Sequence, residues 1–244
     1  MCDSEKLLAA ADRAEELWTK VQALDERIFN EIDPLNITLE TEKTVAEIEE
    51  EYSLLSETDK EYVTRYDDVL FARRVIDSLK DGIIISEMLM NLAGSPDVYT
   101  AEYENAVFSF KGTDITDPTK DFNLSVTLGG DSESEIKALY PDAFVFSLDH
   151  EGALPAKAHV TLNTSLPDGE YKIYRFENGE AVSVGDAVCE NASLTFTAQD
   201  GGIYFAVPVS VSNPGSLGDS VISLGALGTV SLLAVLLLGK RKKR

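Results

Sequence analysis

At Asp81-Gly82 the hydrophobic period of the chain changes from the three-and-four spacing of a helix to strict alternation. A helix places i, i+3 and i+4 on one face, whereas a strand places i and i+2 there, so one pattern cannot serve both structures. The chain is therefore expected to be an α+β protein, helical before Gly82 and built of strands after it.

Before the change, Ala14, Leu17, Trp18, Val21, Leu24, Ile28 and Ile32 form one helical stripe, and Asp33-Pro34 ends it because proline disfavours helix in the residue before it. Thr38 is a plausible N-cap for a second helix carrying Val45, Ile48, Tyr52 and Leu55, and Ser56-Glu-Thr-Asp59 offers a capping-box restart. Tyr62, Tyr66, Val69, Ala72, Ile76 and Leu79 continue the stripe, with a break expected near Thr64. Short connections between three such helices predict an antiparallel three-helix bundle over residues 1–81. Trp18 and the tyrosines share the stripe with Leu and Ile, so they are expected to pack the core.

After the change, Phe108 and Phe110, then Leu124, Val126 and Leu128, Phe144, Phe146 and Leu148, Ala158, Val160 and Leu162, and Leu194 and Phe196 each alternate with polar or small partners. Turns are expected at Glu104-Asn105, Gly129-Gly130, Asp168-Gly169, Asn178-Gly179 and Asp200-Gly-Gly202. Asn178-Gly179 between Tyr171–Phe176 and Glu180–Val184 is a strong two-residue hairpin signal. Residues 82–210 thus read as an antiparallel β-sandwich of immunoglobulin-like type, with a short helix over Ser132–Tyr140.

Residues 211–220 read as a Gly/Ser/Pro linker, and residues 221–239 carry no charge and seven leucines. A helix of that length matches a bilayer, so 221–239 is expected to be a single transmembrane helix in contact with lipid. Lys240, Arg241, Lys242, Lys243 and Arg244 follow it as a stop-transfer tail on the cytoplasmic side.

Charge divides along the same line. Residues 1–220 hold 43 acidic and 16 basic side chains, a net of −27 within a whole-chain value of −22. Nucleic acid is excluded as a partner of the body, since phosphate binding needs Lys and Arg to displace counterions. The two histidines, His150 and His159, and two cysteines, Cys2 and Cys189, fall short of a structural zinc site. No nucleophile motif flanks either histidine, and His159 falls on the polar phase of a strand. No catalytic residue, cofactor or metal is therefore assigned. Asp114, Asp117 and Asp121 share one stretch, but their spacing matches no EF-hand and a solvated loop is preferred.

Leu35-Asn-Ile-Thr-Leu-Glu40, Val45 to Tyr52, Leu55 and Ser56-Glu-Thr-Asp-Lys60 resemble the FIVAR-like three-helix modules of Gram-positive surface proteins. Leu154 to Leu162, Asp168 to Tyr174 and Gly202-Ile-Tyr-Phe205 resemble the β domain that precedes the anchor in Firmicute surface proteins. Asn213, Pro214, Gly215, Ser216, Leu217 and Gly218 stand where a sortase signal would, but with serine for threonine and a leucine before the glycine. The resemblance implies a membrane- or wall-anchored bacterial surface protein with an extracellular body, without catalysis, acting as a stalk or adhesion module toward a host or cell-wall ligand. A tail-anchored adaptor facing the cytoplasm is the alternative, because Met1–Glu5 lacks a signal-peptide start. A surface glycan-acting enzyme is a third class, resting only on the abundance of carboxylates.

Overall fold

A computed structural model describes residues 4–209 of the chain. Helix α1 (Ser4–Glu31) runs 28 residues and stops before Pro34. A single 3-10 turn (Leu39–Thr41), in which the Thr38 amide donates to Thr41 Oγ1 at 3.1 Å, leads into α2 (Glu42–Ser53). Ser56 caps the short α3 (Glu57–Lys60), its Oγ accepting from the Asp59 amide at 3.2 Å, and α4 (Tyr66–Lys80) follows after a break. Across that break Asp25 of α1 accepts hydrogen bonds from the Thr64 amide at 3.0 Å, the Thr64 hydroxyl at 2.8 Å and the Arg65 amide at 3.1 Å. The cap of α4 is thus supplied by another helix, which fixes where α4 starts against α1.

The chain then forms β1 (Ile83–Ile84), α5 (Ser86–Leu92), β2 (Val98–Tyr103), β3 (Ala106–Lys111), β4 (Phe122–Asn123) and β5 (Val126–Leu128). After α6 (Glu133–Leu139) come four longer strands, β6 (Phe144–Asn163), β7 (Gly169–Glu177), β8 (Glu180–Glu190) and β9 (Ser193–Pro208). Seven of these make one antiparallel sheet in the order β2-β3-β6-β9-β7-β8, with β5 beside β6. The pair β1–β4 stands apart as a two-stranded ribbon.

Strands β6 and β9 are long because each bends rather than ending. Their register shifts between Leu148 and Ala153 and again between Ala153 and Ala158, and bulges of this kind let a strand turn a corner while staying paired. Beyond the corner β9 exchanges neighbours: its first residues pair with β8 and its last with β7. Asp200-Gly-Gly202, expected to be a turn, therefore lies inside β9. A Cβ on Gly201 would sit 1.7 Å from the His150 carbonyl oxygen, so the backbone of β6 occupies the space a side chain would need.

One buried cluster runs from Leu24, Ile28 and Ile32 of α1 through Val45, Ile48, Val69 and Ile76 to Phe108, Phe110, Phe122 and Phe146 of the strands. A smaller cluster, Ile136, Ala143, Val145 and Phe205, seats α6 on the other face of the sheet, with Tyr140 against Phe205 at 4.9 Å between ring centroids.

The expected fold class is corrected by this arrangement. A free-standing three-helix bundle does not form, because α4 is apolar over too wide an arc: Val69, Phe71, Ala72, Val75, Ile76 and Leu79 are all buried, enough to meet its helical neighbours and the sheet together. The first half of α1 projects past its neighbours, and Trp18, expected in the core, is 57% exposed. Nor is the β part an immunoglobulin-like sandwich, since the strands read separately at 144–148 and 158–162 are one bent strand in one sheet.

Among the described residues no helix is long and apolar enough to cross a membrane. The long helix, α1, carries Asp12, Arg13, Glu15, Glu16 and Lys20. The expected span at 221–239, the linker at 211–220 and the tail at 240–244 lie outside the described residues. The single-pass topology, the transmembrane assignment and the bacterial-membrane localisation with an extracellular body are accordingly withdrawn.

Candidate functional site

Strand β2 is an edge strand: among the described residues its one partner is β3. The two strands join through Glu104-Asn105, with Tyr103 opposite Ala106 and Glu104 at a φ of 51°. In a two-residue hairpin the closing pair is hydrogen-bonded and the pairs then alternate. Tyr103, Ala101 and Tyr99 therefore turn their main-chain groups to β3, while Thr100 and Glu102 turn theirs to the open side.

That open side lies in a trough. A groove of about 670 Å³ is lined by β2, by Leu79 and Lys80 at the end of α4, and by Thr38, Leu39 and Glu40. A second depression of about 250 Å³ continues along the other end of β2, between Asp97 and Val98 on one side and Asp33, Leu35 and Asn36 on the other. Tyr99 lines both. Its hydroxyl donates to the Ile37 carbonyl at 2.8 Å, buried, and burial pushes that hydroxyl well above the usual phenol range. The phenol is thereby held as a neutral donor that ties the floor of the trough to its far wall.

The rim combines apolar and acidic groups. Leu39 and Val98 are 42% and 59% exposed, while Asp33, Glu40, Asp97, Glu102 and Glu104 line the same surface. The cation there is Lys80, which pairs with Glu42 and Asp77 and whose ammonium is raised above its ordinary range first by the Glu42 hydrogen bond.

A third depression, about 370 Å³, contains Lys157, Arg175, Asp200 and Tyr204. Arg175 is held there by Asp200 at 2.6 Å and by Glu177, and the Tyr204 hydroxyl donates to the Asp200 carbonyl at 2.7 Å. Arg175, Glu177, Asp200 and Tyr204 thus engage one another and leave the guanidinium committed.

The residues singled out in the sequence fall elsewhere. The sorting-like segment Asn213 to Gly218, the tail Lys240 to Arg244 and Cys2 lie outside the described residues. His150 is buried, its Nδ1 accepting from the Asn123 amide at 3.3 Å and its Nε2 donating to the Ala153 carbonyl at 3.1 Å. It holds β4 to β6, and burial lowers its pKa. His159 is exposed, with Nδ1 3.2 Å from the Thr197 hydroxyl. Cys189 is a free, buried thiol 3.6 Å from the Leu166 carbonyl. Asp117 accepts from the Thr119 hydroxyl at 2.6 Å while Asp121 accepts from the Ser86 amide at 2.7 Å at the start of α5, so the two acids are drawn to separate tasks.

None of the trough residues was a candidate in the sequence. Glu104-Asn105 does mark the hairpin, but a strand's place at a sheet edge is a property of the whole topology and leaves no local signal. No family model, curated protein or solved structure matches the chain. The resemblance to Gram-positive surface modules rests on the residues quoted for it.

Proposed function

We propose that the described body is a non-catalytic binding module, with the β2 trough as its recognition surface. The observation that carries this reading is the pairing of an open strand edge with an apolar, acid-rimmed groove. Such a surface offers main-chain hydrogen bonds and side-chain pockets to another polypeptide at once. The phenol and the ammonium in the trough are already engaged, Tyr99 by Ile37 and Lys80 by Glu42 and Asp77, while its carboxylates stand along the rim, an arrangement that supports binding through charge and main-chain hydrogen bonds.

Panning a random peptide library on the full chain tests the reading. Selected peptides are expected to bind at least about tenfold more weakly to Val98→Lys and Leu39→Lys variants, both of which change exposed side chains from apolar to cationic, and to be recovered uncleaved. Peptides that bind both variants as well as the parent chain, or that are hydrolysed by it, would overturn it.

A further inference from the structure

We infer that the occupant of the trough is an extended, lysine- or arginine-bearing polypeptide segment that adds to the sheet as a strand beside β2. This rests on the binding reading above and names the partner's chemistry.

Three features carry it. The first is the alternation of the β2–β3 pairs from Tyr103–Ala106 to Val98–Lys111, which leaves the amides and carbonyls of Thr100 and Glu102 aimed at the open side. Only another backbone in extended form presents donors and acceptors at that repeat, about 4.8 Å away. The second is the far wall: Leu35 and Leu39, both 42% exposed, line the two depressions that run along β2 and offer apolar surface to the side chains of an added strand. The third is charge. Five carboxylates border the trough against Lys80, which Glu42 and Asp77 already neutralise. Cationic side chains are drawn to such a rim and anionic ones repelled.

The same charge argues against a second copy of this chain. Pairing β2 with its own symmetry mate would bring Glu102 and Glu104 of two molecules onto one short ribbon, and like charges across a pair of strands destabilise it.

An amide-exchange measurement on the full chain tests the assignment, using an acetylated, amidated heptapeptide of alternating Val and Lys as probe. At saturation the Thr100 and Glu102 amides are expected to exchange at least about tenfold more slowly, and the Val/Glu counterpart is expected to bind at least about tenfold more weakly. If the Val/Lys peptide shifts the Leu39 and Val98 resonances without slowing the two amides, strand addition is overturned and the binding reading stands. Equal binding of the Val/Glu peptide overturns the cationic occupant, and protection of the two amides by self-association overturns a separate segment as the occupant; in both cases the binding reading stands. If neither peptide nor any panned sequence perturbs the trough, both readings fall.

Discussion

The Tyr99 hydroxyl donates to the Ile37 carbonyl at 2.8 Å, and this buried bond joins the edge strand of the sheet to the turn between the first two helices. Because the donor and acceptor come from opposite sides of Gly82, the period change in the sequence marks a change of layer within one core. Tyr99→Phe leaves the Ile37 carbonyl buried without its partner, a loss of about 1–2 kcal/mol. Chemical denaturation should show a lower midpoint with an unchanged slope, and a single transition followed alike by helix and sheet signals.

Asp25 caps α4 from outside it, receiving three hydrogen bonds from Thr64 and Arg65. Asp25→Ala removes that acceptor and its favourable charge at a helix start, at a cost of about 1–2 kcal/mol. Asp25→Asn keeps an acceptor but loses the charge, so its melting temperature should fall between those of the parent and the alanine variant. Equal melting temperatures for parent and Asp25→Ala would show that the cap contributes nothing.

Gly201 has no room for a side chain, with a Cβ falling 1.7 Å from the His150 carbonyl oxygen. Gly201→Ala should destabilise the fold by about 3 kcal/mol or more, at or beyond the usual upper range for overpacking. A melting curve unchanged by the substitution would mean that β6 and β9 are farther apart at their bend.

His150 makes stability depend on pH. Burial lowers its folded pKa from the ordinary value of about 6.5, Lys120 lowering it further while the Ala153 hydrogen bond and Glu151 oppose the shift. As pH falls the unfolded chain binds the proton first, so stability present above about pH 6.5 is lost toward the folded pKa. Protonation would also abolish the acceptor that the Asn123 amide uses. The stability difference between the parent chain and His150→Gln should therefore narrow between pH 7.5 and 5; a constant difference would show that His150 does not titrate there.

Local signals were legible where the chain itself settles the geometry. Pro34 ends α1, Asn178 and Gly179 at φ 51° and 82° make the β7–β8 turn, and Ser132–Tyr140 holds α6. The misread features depend on what lies across the core. The width of the α4 stripe admits a bundle or a bundle shared with a sheet, and only the strands decide between them. Asp200-Gly-Gly202 looks like a turn until β6 is found against it, where the missing side chains serve close approach. The Leu17–Trp18 stretch of α1 has a core-like stripe, yet Trp18 stays exposed because α2 and α4 do not reach it.

The most direct test of the trough is a calorimetric titration of the Val/Lys heptapeptide into the Thr100→Pro variant. Proline removes an amide that β3 does not use, a change edge strands tolerate, so the fold should melt within a few degrees of the parent. It also deletes a donor that an added strand needs and sets a ring in its path. At least about a tenfold loss of affinity is predicted; undiminished binding by a folded Thr100→Pro chain would contradict docking at this edge.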